Sequence, residues 1–442
     1  MPAYEDVSDR FHLRRDGGDV GPQFASLYHC RAQQLGPRAV RTGNRVWGPA
    51  SDASPWTNTV DAQTLGAAEG RIVGVLYRRM ADPRIESRAL KGTTGQAPEL
   101  IHSRRHADDL LKLEDAAGRL ALRFDACALG GVDRLLSGSV VAVLGHYAPL
   151  ASEEQGVSTF QHDAGVFDVI DVRAPGPLAQ PRVATPRLPA PPRCVAIVSG
   201  LSIRGDDPSA GPAALLAGLV TNATSGVLAR VIVAGNGAAP WDPTPETPPA
   251  DVLAHARGLD RFLAALAAHV PVDYMCGADD IGPGALPQPP LFGALLPEAT
   301  AEQGLRLCTN PYACTIDGYG FVGSAGQPVD DAISHLPPPG RDAGDAALRV
   351  LAQTLECGHL APTAPGTLRC HALVHEDPFV IDERPHVYFA GNQRFGNETL
   401  DAERSGEWTR LVAVPRYSET ATVAIVNLED GCSCEFVQFG GE

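Results

Sequence analysis

The sequence contains no apolar run that approaches the roughly 20 residues needed for a membrane-spanning helix. Its first 20 residues carry acidic and basic side chains throughout and have no apolar core of the kind found in signal peptides. We therefore expect a soluble intracellular protein. The 442 residues, 44% apolar and 20% charged, are enough for two or three domains with a sizeable core, and they exclude disorder.

Paired CxxC motifs are also missing. Ten cysteines are scattered along the chain, and their closest spacing is Cys432 to Cys434. A structural zinc site needs four ligands, normally at short spacings, so we predict no structural metal. Scattered thiols without an even framework predict reduced cysteines that are mostly buried.

Positive charge is scarce in the second part of the chain. Residues 1–190 hold 22 Lys and Arg against 22 Asp and Glu, whereas residues 191–442 hold 14 against 30, which accounts for the whole net charge of −16. Binding a phosphate backbone requires Lys and Arg to replace condensed counterions. The acidic part should therefore repel DNA, and a protein partner is the better expectation.

The first two parts of the chain differ in their apolar pattern. Residues 1–65 are mixed, with one helix predicted near Phe24 to Gln34. In 66–173 the apolar period becomes two, and turn signals separate five predicted strands: 71–77, 111–114, 120–124, 139–144 and 166–172. Five short strands favour a small β-barrel of the OB-fold type.

An OB barrel commonly grips single-stranded nucleic acid by aromatic stacking. Tyr77, Phe124 and Phe167 are candidates for this role, but their apolar context favours packing in the core. The densest basic positions are Arg78, Arg79, Arg104 and Arg105. Exposed aromatic side chains are typical interface anchors, and the candidates are Trp47, Trp56, Trp241 and Trp408.

A proline-rich segment, 174–193, predicts an extended linker to a last domain, 194–442. There, Cys194–Val198 and Arg230–Ala234 are continuous apolar runs, typical of strands buried on both faces. A helical period runs from Val252 to Val270. Later strands are predicted at 272–275, 320–322, 387–390, 410–414 and 422–428, the last two as an antiparallel edge. The pattern predicts an α/β two-sheet sandwich covered by helices.

Loops that contain glycine follow four of these strands: Ser199-Gly200-Leu201, Gly235-Asn236-Gly237, Gly277-Ala278-Asp279-Asp280 and Gly391-Asn392-Gln393. Active groups of open α/β sheets stand at such strand ends. The arrangement resembles the calcineurin-like metallophosphoesterases, whose DxH, GDxxD, GNHD or GNHE and GHxH motifs hold two metal ions that activate a water molecule.

Most ligand positions of that family carry other residues here. Matched motif by motif, these degenerate positions are Ser199, Leu201, Asn236, Ala239, Ala278, Asp279, Asp280, Asn392 and Arg394, and only Asp280 and the glycines agree with the family. One carboxylate alone cannot bridge and hold two divalent cations. The resemblance therefore implies an inactive fold with no catalytic, cofactor-binding or metal-binding residue. His359, or the pair His371 and His375, would be the replacement ligands, but an isolated histidine is usually a hydrogen-bonded structural residue.

Longer stretches resemble the B subunits of replicative DNA polymerases, those of polymerase delta in particular. In the last domain the similar stretches are 195–201, 228–236, 270–277, 286–292, 309–318, 358–368, 377–393 and 410–418. Upstream, DLLKLEDAAGRLAL and SGSVVAVLG are similar to the OB domain of these subunits. HLAPTAP, followed by the run Pro-His-Val-Tyr-Phe-Ala-Gly-Asn, is specific to delta rather than to its alpha and epsilon relatives.

The resemblance implies a non-catalytic scaffold in which an OB domain packs on an inactivated phosphoesterase domain. Its implied partners are the cysteine-rich C-terminal domain of the catalytic subunit and the third, clamp-contacting subunit, with the sliding clamp reached indirectly. It also implies work in the nucleus, weak or indirect DNA contact and no membrane.

Two alternatives remain open. In the first alternative, the chain is an active metal-dependent phosphodiesterase or 3′–5′ exonuclease, like the archaeal relatives of this family. In the second, its OB domain binds single-stranded DNA by itself.

Overall fold

The fold is that of a computed structural model, which describes residues 3–13, 24–66, 68–79, 110–124, 135–150, 165–176, 178–183, 193–206, 213–224, 226–240, 249–336, 346–373, 375–394, 396–401 and 406–439. No helix among these residues has the length and apolar character needed to cross a bilayer. Cys127, Arg104, Arg105 and Trp241, which figure in the predictions above, lie outside the described residues.

The strands and helices follow one another from one end of the described chain to the other. The strands are β1 (Tyr4–Asp6), β2 (Trp56–Thr57), β3 (Glu69–Arg79), β4 (Leu110–Glu114), β5 (Arg119–Phe124), β6 (Val140–Pro149), β7 (Gly165–Arg173), β8 (Cys194–Val198), β9 (Leu228–Ala234), β10 (Val272–Met275), β11 (Leu305–Cys308), β12 (Tyr312–Ile316), β13 (Tyr319–Ser324), β14 (Val387–Ala390), β15 (Gly396–Asp401), β16 (Trp408–Ala413), β17 (Thr422–Asn427) and β18 (Ser433–Gln438). The helices are α1 (Phe24–Trp47), α2 (Ala213–Thr224), α3 (Pro249–Ala267), α4 (Gln327–Ser334), α5 (Ala346–Cys357) and α6 (Tyr417–Thr420).

The five strands predicted between residues 66 and 173 form a closed barrel. They are joined in the order β3, β4, β5, β7 and β6, and β6 pairs back onto β3. Alternate side chains fill the interior, among them Leu76, Leu113, Val143 and Phe167. Phe167 is fully buried there, so its predicted core role is confirmed.

The rest of the chain forms two six-stranded sheets. One has the order β1-β12-β13-β14-β16-β15, and the other β11-β10-β9-β8-β17-β18. Ile197 and Ile232 of the second sheet pack against Phe321, Phe389 and Val412 of the first, so the sheets lie face to face. Helices α2 and α3 cover the outer face of the second sheet, and α4 and α5 cover that of the first. This is the predicted helix-covered α/β sandwich.

The prediction that the last two strands pair as an antiparallel edge is wrong. Strand β16 lies inside the first sheet between β14 and β15, whereas β17 lies inside the second between β8 and β18. Both strands contain Val and Thr, which favour buried positions in any sheet. Their composition therefore does not indicate which sheet each strand joins. The intervening residues include α6 and carry the chain from one sheet to the other.

Helix α1 is twice as long as predicted. It runs through Pro37 to Trp47 instead of ending near Gln34. Proline lacks the N–H that an interior helical position would donate, but Leu35 and Ala39 on either side of it are buried against the barrel residues Val75 and Val140. This packing stabilises the helix where local propensity alone would end it.

Two tryptophans attach the C-terminal end of α1 to the barrel. The rings of Trp47 and Trp56 lie 6.2 Å apart. Trp47 Nε1 donates to Asp171 Oδ2 of β7 at 2.7 Å, and Trp56 Nε1 donates to Asn44 Oδ1 at 3.0 Å. Both side chains are therefore half-buried structural contacts rather than free anchors.

The described cysteines have the predicted state. No disulfide joins any two of the nine; eight are buried and Cys434 is half-buried. Burial raises the pKa of the Cys276, Cys314 and Cys357 thiols. These groups stay protonated at neutral pH and behave as small apolar side chains.

Arg31 joins α1, the barrel and the sandwich. Its side chain is completely buried. Nε donates to Asp377 Oδ2 at 2.7 Å, Nη1 donates to the carbonyls of Gly138 and Pro362 at 2.9 and 2.8 Å, and Nη2 donates to the carbonyl of Ala364 at 2.7 Å. Gly138 lies two residues before the barrel strand β6, whereas the other acceptors belong to the sandwich part of the chain.

Replacing Arg31 with Met should cost about 3–5 kcal/mol of unfolding free energy, because it leaves the buried Asp377 carboxylate without its cationic partner. Urea denaturation followed by tryptophan fluorescence measures the loss. The matched control is Arg41→Met on the exposed face of the same helix, which should change stability by no more than about 0.5 kcal/mol. A loss at Arg31 as small as the control's would contradict the role given to this ion pair.

Candidate functional site

Four strand-end loops meet at one edge of the sandwich, as predicted from their position. Strands β8, β9 and β10 run parallel in the second sheet, and β14 runs parallel to β13 and β16 in the first. The loops touch directly: Asn392 N donates to Ser199 Oγ at 2.8 Å, and Gly200 N donates to the carbonyl of Gly235 at 2.9 Å. We call this set of loops, 199–201, 235–239, 277–280 and 391–394, the strand-end site.

Sharp turns explain the Gly-Asn pairs of the strand-end site. Asn236 and Asn392 have φ values of 57° and 59°, in the left-handed region that Asn tolerates better than most residues. A Cβ atom on Gly391 would lie 2.3 Å from the carbonyl oxygen of Ala234. Glycine is therefore required where the loop after β14 crosses the end of β9.

Asp280 lies at the centre of the strand-end site. Its carboxylate is buried and accepts three backbone N–H groups, from Asn236 and Gly277 at 2.8 Å and from Ala238 at 3.2 Å. Burial raises the pKa of Asp280 although these three donors act in the opposite direction. Asp280 thus ties the loop after β9 to the loop after β10.

Asp279 belongs to a second network. Asn236 Nδ2 donates to Asp279 Oδ2 at 2.9 Å, and Asp279 N donates back to Asn236 Oδ1 at 3.0 Å. Arg416 Nη1 donates to the same carboxylate oxygen at 3.1 Å. A guanidinium supplied by the chain itself therefore compensates the charge of Asp279.

Arg416 was missed by the sequence analysis. It follows β16, which is parallel to β14 and therefore ends at the same edge. Active groups lie at the carboxyl ends of parallel strands, so Arg416 would have been a candidate if β16 had been predicted to be parallel to β14. The prediction of an antiparallel edge excluded it.

The other predicted positions bring no further carboxylate or imidazole to the strand-end site. Ser199 Oγ donates to the carbonyl of Pro415 at 3.0 Å, and Asn392 Nδ2 donates to the carbonyl of Ala325 at 2.9 Å. Leu201 and Ala239 are buried apolar side chains, whereas Ala278 and Arg394 are exposed.

A further carboxylate lies in the first turn of α4. Gln393 Nε2 donates to Asp330 Oδ1 at 2.8 Å. Asp330 is solvent-exposed, and the Gln393 hydrogen bond and the charge of Arg416 both favour the ionised form of this carboxyl. Because α4 was not predicted, sequence reasoning gave no signal for this residue.

These residues do not fit two metal ions. The oxygens of Asp279 and Asp280 already accept hydrogen bonds from the protein, and Ser199 and Asn392 are neutral. In the part of the chain that the structure describes, no group of three or more His, Cys, Asp or Glu side chains could hold a metal ion. We derive no reaction step through a metal at this edge.

His359, considered above as a replacement ligand, belongs to the Arg31 cluster. Its Nδ1 accepts the backbone N–H of Ala361 at 3.1 Å, so its proton lies on Nε2, which donates to Asp377 Oδ2 at 2.9 Å. Burial and the nearby Arg31 charge lower the pKa of His359 to about 4. The predicted structural role of this histidine is confirmed. His371 is half-buried, and burial also lowers its pKa.

The remaining aromatic candidates are half-buried. Phe124 packs against the barrel core. Tyr77 lies with the Arg119 guanidinium 5.4 Å from its ring centroid, an arrangement that occupies one face of the ring. Trp408, in the first sheet, has its ring 5.6 Å from that of His386. Each of these side chains therefore has a contact within the chain itself.

Comparisons with known proteins agree with this architecture. The family model for the DNA polymerase delta subunit OB-fold domain matches residues 23–152, and the model for the B subunit of DNA polymerase alpha/epsilon matches residues 195–397. DNA polymerase delta subunit 2 of Drosophila melanogaster is 30% identical, covering 99% of this chain and 97% of the relative. The DNA polymerase delta small subunit of Arabidopsis thaliana is 28% identical, covering 99% and 95%. That of Saccharomyces cerevisiae is 25% identical, covering 96% and 90%.

Asp280→Asn should destabilise the protein by about 2 kcal/mol, because the amide nitrogen would face backbone N–H donors that the carboxylate now satisfies. Urea denaturation of the full chain measures this change. Asp206→Asn at an exposed position is the control and should be close to neutral. Equal stability of the two variants would show that the three hydrogen bonds to Asp280 contribute little.

The His359 interaction predicts a pH dependence of stability. Since the folded pKa of about 4 lies below the ordinary histidine value of 6.5, unfolding takes up a proton between these values, and stability falls as the pH is lowered through this window. Between pH 7 and pH 5 the loss should be about 2 kcal/mol.

His359→Gln removes the titrating group but can still donate to Asp377. The variant should therefore show a shallower fall in stability over the same pH range, measured by urea denaturation. His269→Gln, at an exposed position, is the control. Identical pH profiles of the wild type and His359→Gln would contradict this assignment.

Proposed function

This chain belongs to the family of DNA polymerase delta small subunits, and we propose that it is a non-catalytic scaffold that holds the other subunits of the replicative polymerase together. As an accessory subunit it contributes structure rather than nucleotide chemistry. The observation that carries the proposal is the strand-end site, where the protein's own donors and a guanidinium occupy the carboxylates that a metal would need.

The sandwich is, in this proposal, a calcineurin-like phosphoesterase fold that has lost its activity. Support comes from the convergence of the four loops at one edge. Their former ligand positions now carry Ser199, Leu201, Asn236, Ala239, Ala278, Asp279, Asp280, Asn392 and Arg394. A site whose charges are satisfied internally keeps its shape without cations, so its loops are free to serve as contact surface.

The partners we propose are the cysteine-rich C-terminal domain of the catalytic subunit and the third, clamp-contacting subunit. The sliding clamp would be reached through the latter, in the nucleus. The acidic balance of residues 191–442 supports protein contacts over template contacts, because like charges repel a phosphate backbone. The division into residues 1–65, 66–173, 174–193 and 194–442 stays a prediction.

Co-expression with the polymerase catalytic subunit of the same organism tests the scaffold role. We expect the two chains to co-elute in size-exclusion chromatography. Changing the C-terminal cysteines of the catalytic subunit to serine should abolish co-elution, because metal-organised cysteines would shape the contacting domain. Failure of the unmodified pair to associate, or equal association of the cysteine variant, would contradict the proposal.

A nuclease assay distinguishes the scaffold from an active phosphodiesterase. The purified chain with Mn²⁺ and single-stranded DNA should release no nucleotides above the level of the Asp280→Asn variant. Hydrolysis that depends on Mn²⁺ and is lost in Asp280→Asn, but not in Asp206→Asn, would overturn the non-catalytic assignment.

A further inference from the structure

A cavity of about 560 Å³ opens between α1 and two sets of residues, Pro175, Leu178 and Ala179 on one side and Val380 and Asp382 on the other. We propose that it docks an acidic and partly apolar peptide segment of a partner protein. We call it the arginine groove and define it by the residues that line it: Gln34, Arg38, Arg41, Thr42, Arg45, Pro175, Leu178, Ala179, Val380 and Asp382.

The basic side chains of the groove form one stripe of α1. Gln34, Arg38, Arg41 and Arg45 are spaced by four, three and four residues, so they lie one above another on the helix surface. A second stripe, which includes Leu35 and Ala39, is buried against the barrel. The helix therefore buries one face and turns a row of guanidinium groups toward the cavity.

The positive charge of this row is largely uncompensated. Arg41 and Arg45 are exposed, and neither has an ion-pair partner among the residues that the structure describes. The carboxylate that lines the groove, Asp382, is paired with Arg10 at 3.0 Å, and its charge also acts on Arg38. The groove is thus strongly basic although the chain has a net charge of −16.

The walls of the groove are held in place before any ligand binds. Arg38 Nη1 donates to the carbonyl of Ile381 at 3.0 Å, and Thr42 Oγ1 donates to the carbonyl of Pro175 at 2.7 Å. Gly176, at φ 84°, lies so close to α1 that a Cβ atom there would be 2.7 Å from Thr42 Oγ1. Fixed walls reduce the ordering cost of binding.

The mixture of charge and apolar surface favours a peptide over a nucleic acid. Pro175, Leu178 and Val380 give the groove an apolar side opposite its cations. From Gln34 to Arg45 the helix rises about 16 Å, the length of about five residues of extended peptide. Arginine forks match carboxylates in a bidentate geometry, and the apolar side suits aliphatic side chains alternating with the acids.

Fluorescence anisotropy with the full chain tests this docking site without any polymerase subunit, so its result is independent of the function proposed above. The probe is a short labelled peptide in which Glu and Leu alternate. Arg41→Glu and Arg45→Glu should each weaken binding about tenfold, the loss of roughly one charge-assisted pair. Arg257→Glu, on the exposed face of α3, makes the same charge change elsewhere and should leave the affinity unchanged.

Each other outcome overturns the proposal. One such outcome is that the wild type does not bind the Glu-Leu peptide at about 1 mM, the weak end of specific recognition. Another is that it binds a Gln-Leu peptide equally well. Equal losses in Arg257→Glu would assign the effect to net charge. Tighter binding of a thymidine oligonucleotide of the same charge, lost in Arg41→Glu and Arg45→Glu, would assign the groove to phosphate instead of carboxylate.

Discussion

The buried ion pair of Arg31 and Asp377 is the interaction on which the arrangement of barrel and sandwich depends. Taking both charges out of water costs several kcal/mol per ion, and the cost is offset only when each remaining donor and acceptor finds a partner. Here the guanidinium also reaches three carbonyl oxygens, and the carboxylate also accepts His359 Nε2–H. Arg31 belongs to α1, and Gly138 to the turn before β6. Pro362, Ala364 and His359 belong to the HLAPTAP segment. A displacement of any of them leaves a buried charge unsatisfied, so the parts have one relative position.

The carboxylates of the strand-end site also have their partners within the chain, so they are satisfied without a metal ion. A hydrolytic metal site keeps carboxylates whose lone pairs point at open space and are satisfied only by cations. Here Asp280 takes three backbone N–H groups, and Asp279 takes Asn236 and Arg416. Arg416 is a permanent cation bound covalently to the chain, so the edge holds its shape at any metal concentration. The accessory role of the polymerase subunit is consistent with loops whose carboxylates are paired with donors of the chain itself.

Local sequence patterns predicted the strands and helices better than they predicted which strands pair and which distant residues make contact. The period of two between residues 66 and 173 gave all five barrel strands, since one face of each strand is buried and the other is not. Strands β16 and β17 were identified as strands but placed in the wrong sheet, because valine and threonine favour any buried sheet equally. Arg31 and Asp377 are 346 positions apart, and nothing near either residue reveals the other. Helix α1 was predicted to end near Gln34, but it continues through Pro37 because Leu35 and Ala39 on either side of this proline are buried.

Helix α1 combines these constraints in one element. Its buried face carries Arg31 and packs on the barrel, and its exposed face carries the guanidinium row of the arginine groove. Arg38 also contacts the carbonyl of Ile381, four residues beyond Asp377, so the groove and the Arg31 cluster share the same segment of the sandwich. A peptide bound along the row would therefore lie against α1 and against this segment of the sandwich at the same time. An accessory subunit of a polymerase can contribute to the assembly through such fixed geometry.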